Sequence, residues 1–210
     1  MFPMAIVQAL FPRLAANAEQ DSVELGKISV VLVGQLYAFL VIGLLCFAAP
    51  LLAIWLGDDL DPRSVMVGQI TLIGFWVNAV ANVPYALIQA RGNSRFTAIL
   101  HLLELPLYFI MLYGFGVKLG LYGVALAFTL RVILDCFALF YKAQFIDRYV
   151  LSRLAGPAAL VLASFAVSPW IVDWLDAFVA ASLVCGALLV FTWFQMPSEA
   201  KDWLLDRERR

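Results

Sequence analysis

The chain has 210 residues, 64% of them hydrophobic and 14% charged, with a mean hydropathy of +0.92. A soluble domain of this size needs about 25% charged residues to face water, so a soluble fold, a disordered chain, a collagen and a disulfide scaffold are all excluded, and an integral membrane protein remains. The 14 basic and 15 acidic side chains nearly cancel, which leaves no basic footprint for a nucleic-acid partner.

Residues 1–11 are apolar but cover only about half a bilayer, and no basic segment precedes them as in a signal peptide. They read as the end of a helix whose upstream part is absent, or as a short interfacial helix, followed by a polar linker to residue 27. Residues 28–56 then run without a charge and form the first span. The acidic stretch Gly57-Asp58-Asp59-Leu60-Asp61-Pro62 reads as a solvated turn, and residues 65–90 form the second span, again uncharged. Residues 96–117 make a third, carrying His101 and Glu104, and residues 119–141 a fourth, carrying Arg131 and Asp135. Residues 154–172 and 177–196 complete a set of six, with the polar tail 197–210 beyond. Runs of this length exclude a membrane β-barrel, whose segments alternate over about ten residues. The expected fold is an all-α, polytopic transmembrane bundle. Residues 28–142 form a four-helix unit, 143–153 a loop and 154–196 a closing helix pair.

Charge placement orients the spans. Eleven of the 14 basic residues lie on the side that holds residues 13–27, among them Arg91, Arg95, Lys142, Arg148 and Arg153; Arg63 and Lys118 lie opposite, and Arg131 is inside a span. The positive-inside rule makes the basic side cytoplasmic, placing the carboxyl terminus there too.

Ionisable groups within lipid are expensive and mark candidate functional sites. At a rise of about 1.5 Å per residue, Glu104 and Asp135 lie roughly 12 and 10 Å in from the basic side, and Arg131 about 16 Å. A bridge from Arg131 to Asp135 on its own helix or across to Glu104 is expected. Such a knot can hold two helices together, present positive charge to an anion, or exchange a proton or sodium ion. On the second span Thr71, Asn78, Asn82, Tyr85 and Gln89 share one helical face, which suits either interhelical hydrogen bonds or the wall of a polar cavity. Pro84 within that stripe, and Pro106 beyond Glu104, could kink their helices. Gly114, Gly116, Gly120 and Gly123 flank the hairpin between spans three and four, where close approach and tight turning are useful. Cys46, Cys136 and Cys185 read as small hydrophobes. A single histidine with no clustered ligands gives no expectation of a zinc site or a cofactor. No hydrolytic, redox or phosphate-loop motif is present, so an enzyme is not expected.

Three strings carry a family resemblance. Leu10-Phe11-Pro12-Arg13-Leu14 before a linker and long helix is similar to the segment after the eighth helix of polysaccharide flippases. Pro84-Tyr85-Ala86-Leu87-Ile88-Gln89-Ala90-Arg91-Gly92, at the cytoplasmic end of the second span, also resembles these flippases. So does Gly120-Leu121-Tyr122-Gly123-Val124-Ala125-Leu126-Ala127 leading into Arg131. Together they resemble the O-antigen and teichoic-acid exporters of the multidrug/oligosaccharidyl-lipid/polysaccharide superfamily, whose 12–14 helices form two bundles around a central cavity; this chain resembles only the second bundle and its appended pair.

The resemblance implies transport of an undecaprenyl-pyrophosphate-linked oligosaccharide across the bacterial cytoplasmic membrane by alternating access. It also implies membrane lipids as surroundings, and an amino-terminal half or a second copy as partner. On this reading Arg131 attracts the anionic head group and Asn78, Asn82, Tyr85 and Gln89 contact substrate. Glu104, Asp135 and His101 would couple an ion or form a structural ion pair. An ion-coupled multidrug or cation antiporter of the same superfamily, with Glu104 more important than Arg131, is the alternative. Another is a non-transporting scaffold for glycosyltransferases.

Overall fold

A computed structural model of the chain describes residues 19–57, 60–171 and 173–195. The expected helix end or interfacial helix before Glu19 and the polar tail from residue 197 lie outside the described residues. Six helices long and apolar enough to cross a membrane are present among the described residues. They are α1 (Glu19–Leu56), α2 (Pro62–Ala90), α3 (Ser94–Leu119), α4 (Leu121–Ala143), α5 (Arg148–Val167) and α6 (Trp174–Gln195), with a single 3-10 turn at Ser168–Trp170 between the last two. The all-α, six-span membrane bundle expected from composition is the fold observed.

Local chemistry sets the boundaries. Asp61 caps α2, its carboxylate accepting from the Arg63 N–H at 2.8 Å, and Pro62 supplies a first residue that needs no donor. Asp147 caps α5 in the same way through the Val150 N–H, also at 2.8 Å. The α2–α3 turn is closed by Gly92 at φ +75°, and the α3–α4 turn is reduced to Gly120 at φ +60°. Because Gly120 is the break, Lys118 stays inside the last turn of α3. Its cation there complements the negative end of the helix dipole. Helix α1 begins at Glu19, ahead of the apolar run that starts at Ile28. Hydropathy locates only the lipid-buried part of a helix, and the polar first turns of α1 continue it through charged contacts.

Lateral order differs from chain order. Helix α2 packs on α1 along one side and α4 along the other, while α5 and α6 close against α1. Helix α3 rests mainly on α4 and touches α2 only lightly. The core therefore lies between α1, α2 and the ends of α4 and α5, around Val30, Ile42, Leu45, Val83, Leu87, Leu139 and Phe145. In lipid this packing is not driven by the hydrophobic effect, so close fit and interhelical hydrogen bonds hold it. The Trp76 indole donates to the Gly34 carbonyl at 2.9 Å, the Thr129 hydroxyl to Ile70 O at 3.0 Å, and the Gln69 amide to Leu45 O at 3.3 Å. The outer flank of α3, including Leu102, Leu103, Phe109 and Ile110, is exposed, as a face bathed in lipid tails should be.

Candidate functional site

The loose fit of α3 against α2 leaves a cleft floored by α4. A cavity of about 260 Å³ opens there, lined by Asn78, Ala81, Asn82 and Tyr85 from α2, His101 from α3, and Arg131, Asp135 and Leu139 from α4. Water occupies about 30 Å³ per molecule, so the space holds several waters or one small anionic group, and is too small for an oligosaccharide. Its wall lies in the half of the spans nearer the basic loops, because α2 ends and α3 begins there.

All four intramembrane ionisable residues meet at this cleft. Arg131 turns across to α3 and donates from Nη2 to Glu104 Oε2 at 2.7 Å and from Nε to the same oxygen at 3.2 Å. Of the two bridges open to the sequence, the interhelical one to Glu104 is thus made. His101 Nδ1 lies 3.4 Å from Glu104 Oε2 and 3.9 Å from Asp135 Oδ1. Both carboxylate residues are buried, Glu104 at 8% and Asp135 at 6% exposure, whereas Arg131 and His101 are partly exposed. One oxygen on each carboxylate, Glu104 Oε1 and Asp135 Oδ1, is buried without a hydrogen-bond partner. With His101 neutral, two carboxylates face one guanidinium.

The sequence shows no clustered ligands, but the fold brings three possible donors together. His101, Glu104 and Asp135 each offer a donor atom, and the three atoms lie within 4.8 Å of one another. Sequence spacing misses such a set because two donors sit at i, i+3 on α3 and the third comes from the facing helix. The matched depths of Glu104 and Asp135 were the available signal.

The α2 stripe divides. Asn78, Asn82 and Tyr85 line the cavity; the Asn82 amide also donates to the Asn78 carbonyl at 2.9 Å, and the Tyr85 ring lies 5.8 Å from that of His101. Gln89 is set back and donates to the Tyr85 hydroxyl at 2.6 Å, fixing that ring's position. Thr71 lies toward the opposite end of the helix and donates to its own helix at Val67 O, at 2.8 Å. A shared face does not ensure a shared environment, since the cavity is shorter than the stripe.

A second charged contact lies at the basic end, beyond the lipid-buried spans. Lys27 Nζ is 2.6 Å from Asp147 Oδ2 and 3.1 Å from Glu24 Oε1. The hydrogen bond to Asp147 holds the Lys27 ammonium above its usual range, against the opposing pull of burial, and Glu24 adds to it. For Asp147, burial pushes the carboxyl up, but the Lys27 hydrogen bond and the Val150 N–H together outweigh it and hold it low. Neither partner was singled out in the sequence, because both look like ordinary loop charges.

The chain is 36% identical over 141 residues, 66% of its own length, to the "Putative O-antigen transporter" of Shigella flexneri. It spans about a third of the length of that relative, 34%. No protein-family profile matches the chain, and no solved structure matches it.

Proposed function

We propose that this chain is the membrane-embedded part of a carrier for an undecaprenyl-pyrophosphate-linked oligosaccharide, moved across the bacterial cytoplasmic membrane by alternating access. The observation that carries the reading is a polar cavity sunk among membrane spans with a guanidinium in its wall, in a chain similar to an O-antigen transporter. The bias of basic loops supports a cytoplasmic position for the end of the spans that carries this cavity, where such a substrate is made. Arg131 suits a phosphate because its fork is planar, permanently charged and able to form two parallel bonds. Asn78, Asn82 and Tyr85 supply donors and acceptors for sugar hydroxyls, with Gln89 steadying Tyr85. The cavity accommodates a head group only, so the remaining surface for the glycan comes from an amino-terminal half or a second copy. Glu104, with Asp135 and His101 beside it, competes with the substrate for Arg131, and that competition links binding to an exchangeable cation. The chain works as a carrier and not as a catalyst.

The test is surface-polysaccharide display in cells whose own gene is replaced by variants, with membrane levels checked by immunoblotting. A charge-assisted contact is worth about 1.5–3 kcal/mol, so Arg131→Ala should lower display by roughly ten- to a hundredfold, with Arg131→Lys in between. Normal display by Arg131→Ala at equal protein level would overturn the reading. The buried carboxylates favour one rival, a cation antiporter. In that case Glu104→Gln abolishes cation efflux while Arg131→Lys leaves it intact. A scaffold for glycosyltransferases predicts that neither substitution matters beyond stability.

A further inference from the structure

The cavity's charge balance opposes its proposed cargo. Glu104 and Asp135 outnumber Arg131, so with His101 neutral the cluster carries a net negative charge facing the space where a phosphate would sit. Arg131 takes both its hydrogen bonds to one Glu104 oxygen. That leaves Oε1 of Glu104 buried and unpartnered, in a residue only 8% exposed. Asp135, 6% exposed and in the cavity wall, has an equally unpartnered Oδ1, 3.9 Å from His101 Nδ1. Buried oxygens of this kind are ordinarily satisfied, and two of them in a cluster that also holds an imidazole ask for a shared cation.

We propose that His101, Glu104 and Asp135 bind a divalent transition-metal cation of the Mn²⁺ or Zn²⁺ class, which turns the cavity from a repellent into an acceptor for phosphate oxygens. One imidazole and two carboxylates form a mixed donor set, the imidazole suiting Zn²⁺ and the carboxylates suiting Mn²⁺. The three donor atoms lie within 4.8 Å of one another, and donors about 2.1 Å from one ion stand roughly 3–4 Å apart, so small rotations of half-buried His101 and of Asp135 close the set. Three protein ligands leave further positions open toward the cavity. With the ion bound, the four side chains and the metal sum to a net positive charge, and Arg131 and the metal flank the same space. Binding of the metal stands on the cluster alone; its use toward a phosphate rests on the carrier reading above.

The experiment titrates Mn²⁺ into the purified full chain in lipid nanodiscs, reading loss of the free-ion electron paramagnetic resonance signal, with Zn²⁺ as competitor. About one Mn²⁺ per chain should bind and be displaced by Zn²⁺. Since even neighbours of metal ligands change affinity by 10–100-fold, His101→Ala and Asp135→Asn should each weaken binding by roughly tenfold or more. Lys118→Ala, at the opposite end of α3, should bind as the wild type does. Circular dichroism of each variant establishes that it is folded. Failure of the folded wild type to take up Mn²⁺, or equal uptake by all variants, overturns the proposal and leaves a proton to balance the cluster. A metal-free protein whose Arg131→Ala variant still loses polysaccharide display would sink this inference while sparing the carrier reading. Metal binding with normal display in Arg131→Ala would do the reverse.

Discussion

Arg131 is held in a membrane span by one strong partner. Its guanidinium gives both short contacts to a single oxygen of Glu104, and removing that carboxylate strips it of its hydrogen-bonded anion and leaves Asp135 as the remaining negative charge of the cluster. Losing one partner of a buried pair costs more than losing both, because the surviving charge keeps its desolvation penalty. Glu104→Gln should therefore destabilise the bundle by about 1–3 kcal/mol, toward the lower end because Arg131 still reaches the cavity. The double variant Glu104→Gln/Arg131→Met should recover part of that loss. Thermal unfolding in detergent of the two variants checks the order; a double variant less stable than the single one would contradict it. Residue identities and depths in the sequence were enough to bring these groups to one level of the membrane. They could not decide which carboxylate Arg131 would choose. Asp135 at i+4 is reachable on the same helix, yet the guanidinium crosses to α3 and leaves Asp135 facing His101. That choice depends on how α3 and α4 are rotated about their axes, which is a packing outcome and leaves no local trace.

The α3–α4 hairpin is the element that aligns those charges, and two of its four glycines set it. Gly120 holds φ +60° in a one-residue turn, and Gly123 lies so close to the Phe115 carbonyl that a Cβ would collide with backbone. Neither strain can be relieved by moving a flexible side chain. Gly114 has nothing within reach of an added Cβ, and its helix face is open. Gly114→Ala should be neutral or slightly stabilising, by up to about 1 kcal/mol, because alanine is the better helix former. Gly123→Ala should instead force the helices apart, at a cost of about 1–3 kcal/mol, and misalign Arg131 with Glu104. Thermal unfolding of the two variants measures the contrast. Equal stability would mean that the hairpin is not set by this contact. The sequence shows four glycines near a turn and cannot rank them, since helix propensity is the same for each and only the facing atoms differ. The cavity follows from the same geometry. Helix α3 is tied to α4 by its short turn and so stands away from α2, and the polar stripe on α2 becomes a wall where it meets that gap.

At the scale of the whole bundle, the basic end is fastened by a contact between segments far apart in the chain. Lys27 on α1 meets Asp147, which also caps α5, so one carboxylate ties the first helix to the start of the closing pair. Asp147 is held below its usual range, so its contribution is complete above the unfolded-state value of about 3.9 and is lost as pH falls through its lower folded value. Lys27 is held above its usual range, so its contribution is complete below about 10.4 and fades only as pH rises past the folded value. Between those limits the fastening is insensitive to pH. Asp147→Asn keeps a side chain able to cap α5 and removes only the charge. It should lower the unfolding temperature at pH 7, and the difference from the wild type should shrink steadily below about pH 4, where the native carboxyl also becomes neutral. Lys27→Met should show the same convergence at low pH, because an uncharged Asp147 no longer attracts the ammonium. A gap between Asp147→Asn and the wild type that stays constant down to pH 2 would assign the effect to lost capping and not to the ion pair. Since α1 also carries the core that supports α2, loosening this end should reach the cavity wall as well. Hydrogen exchange at the α2 amides near Tyr85 should therefore quicken in Asp147→Asn at neutral pH and match the wild type in acid.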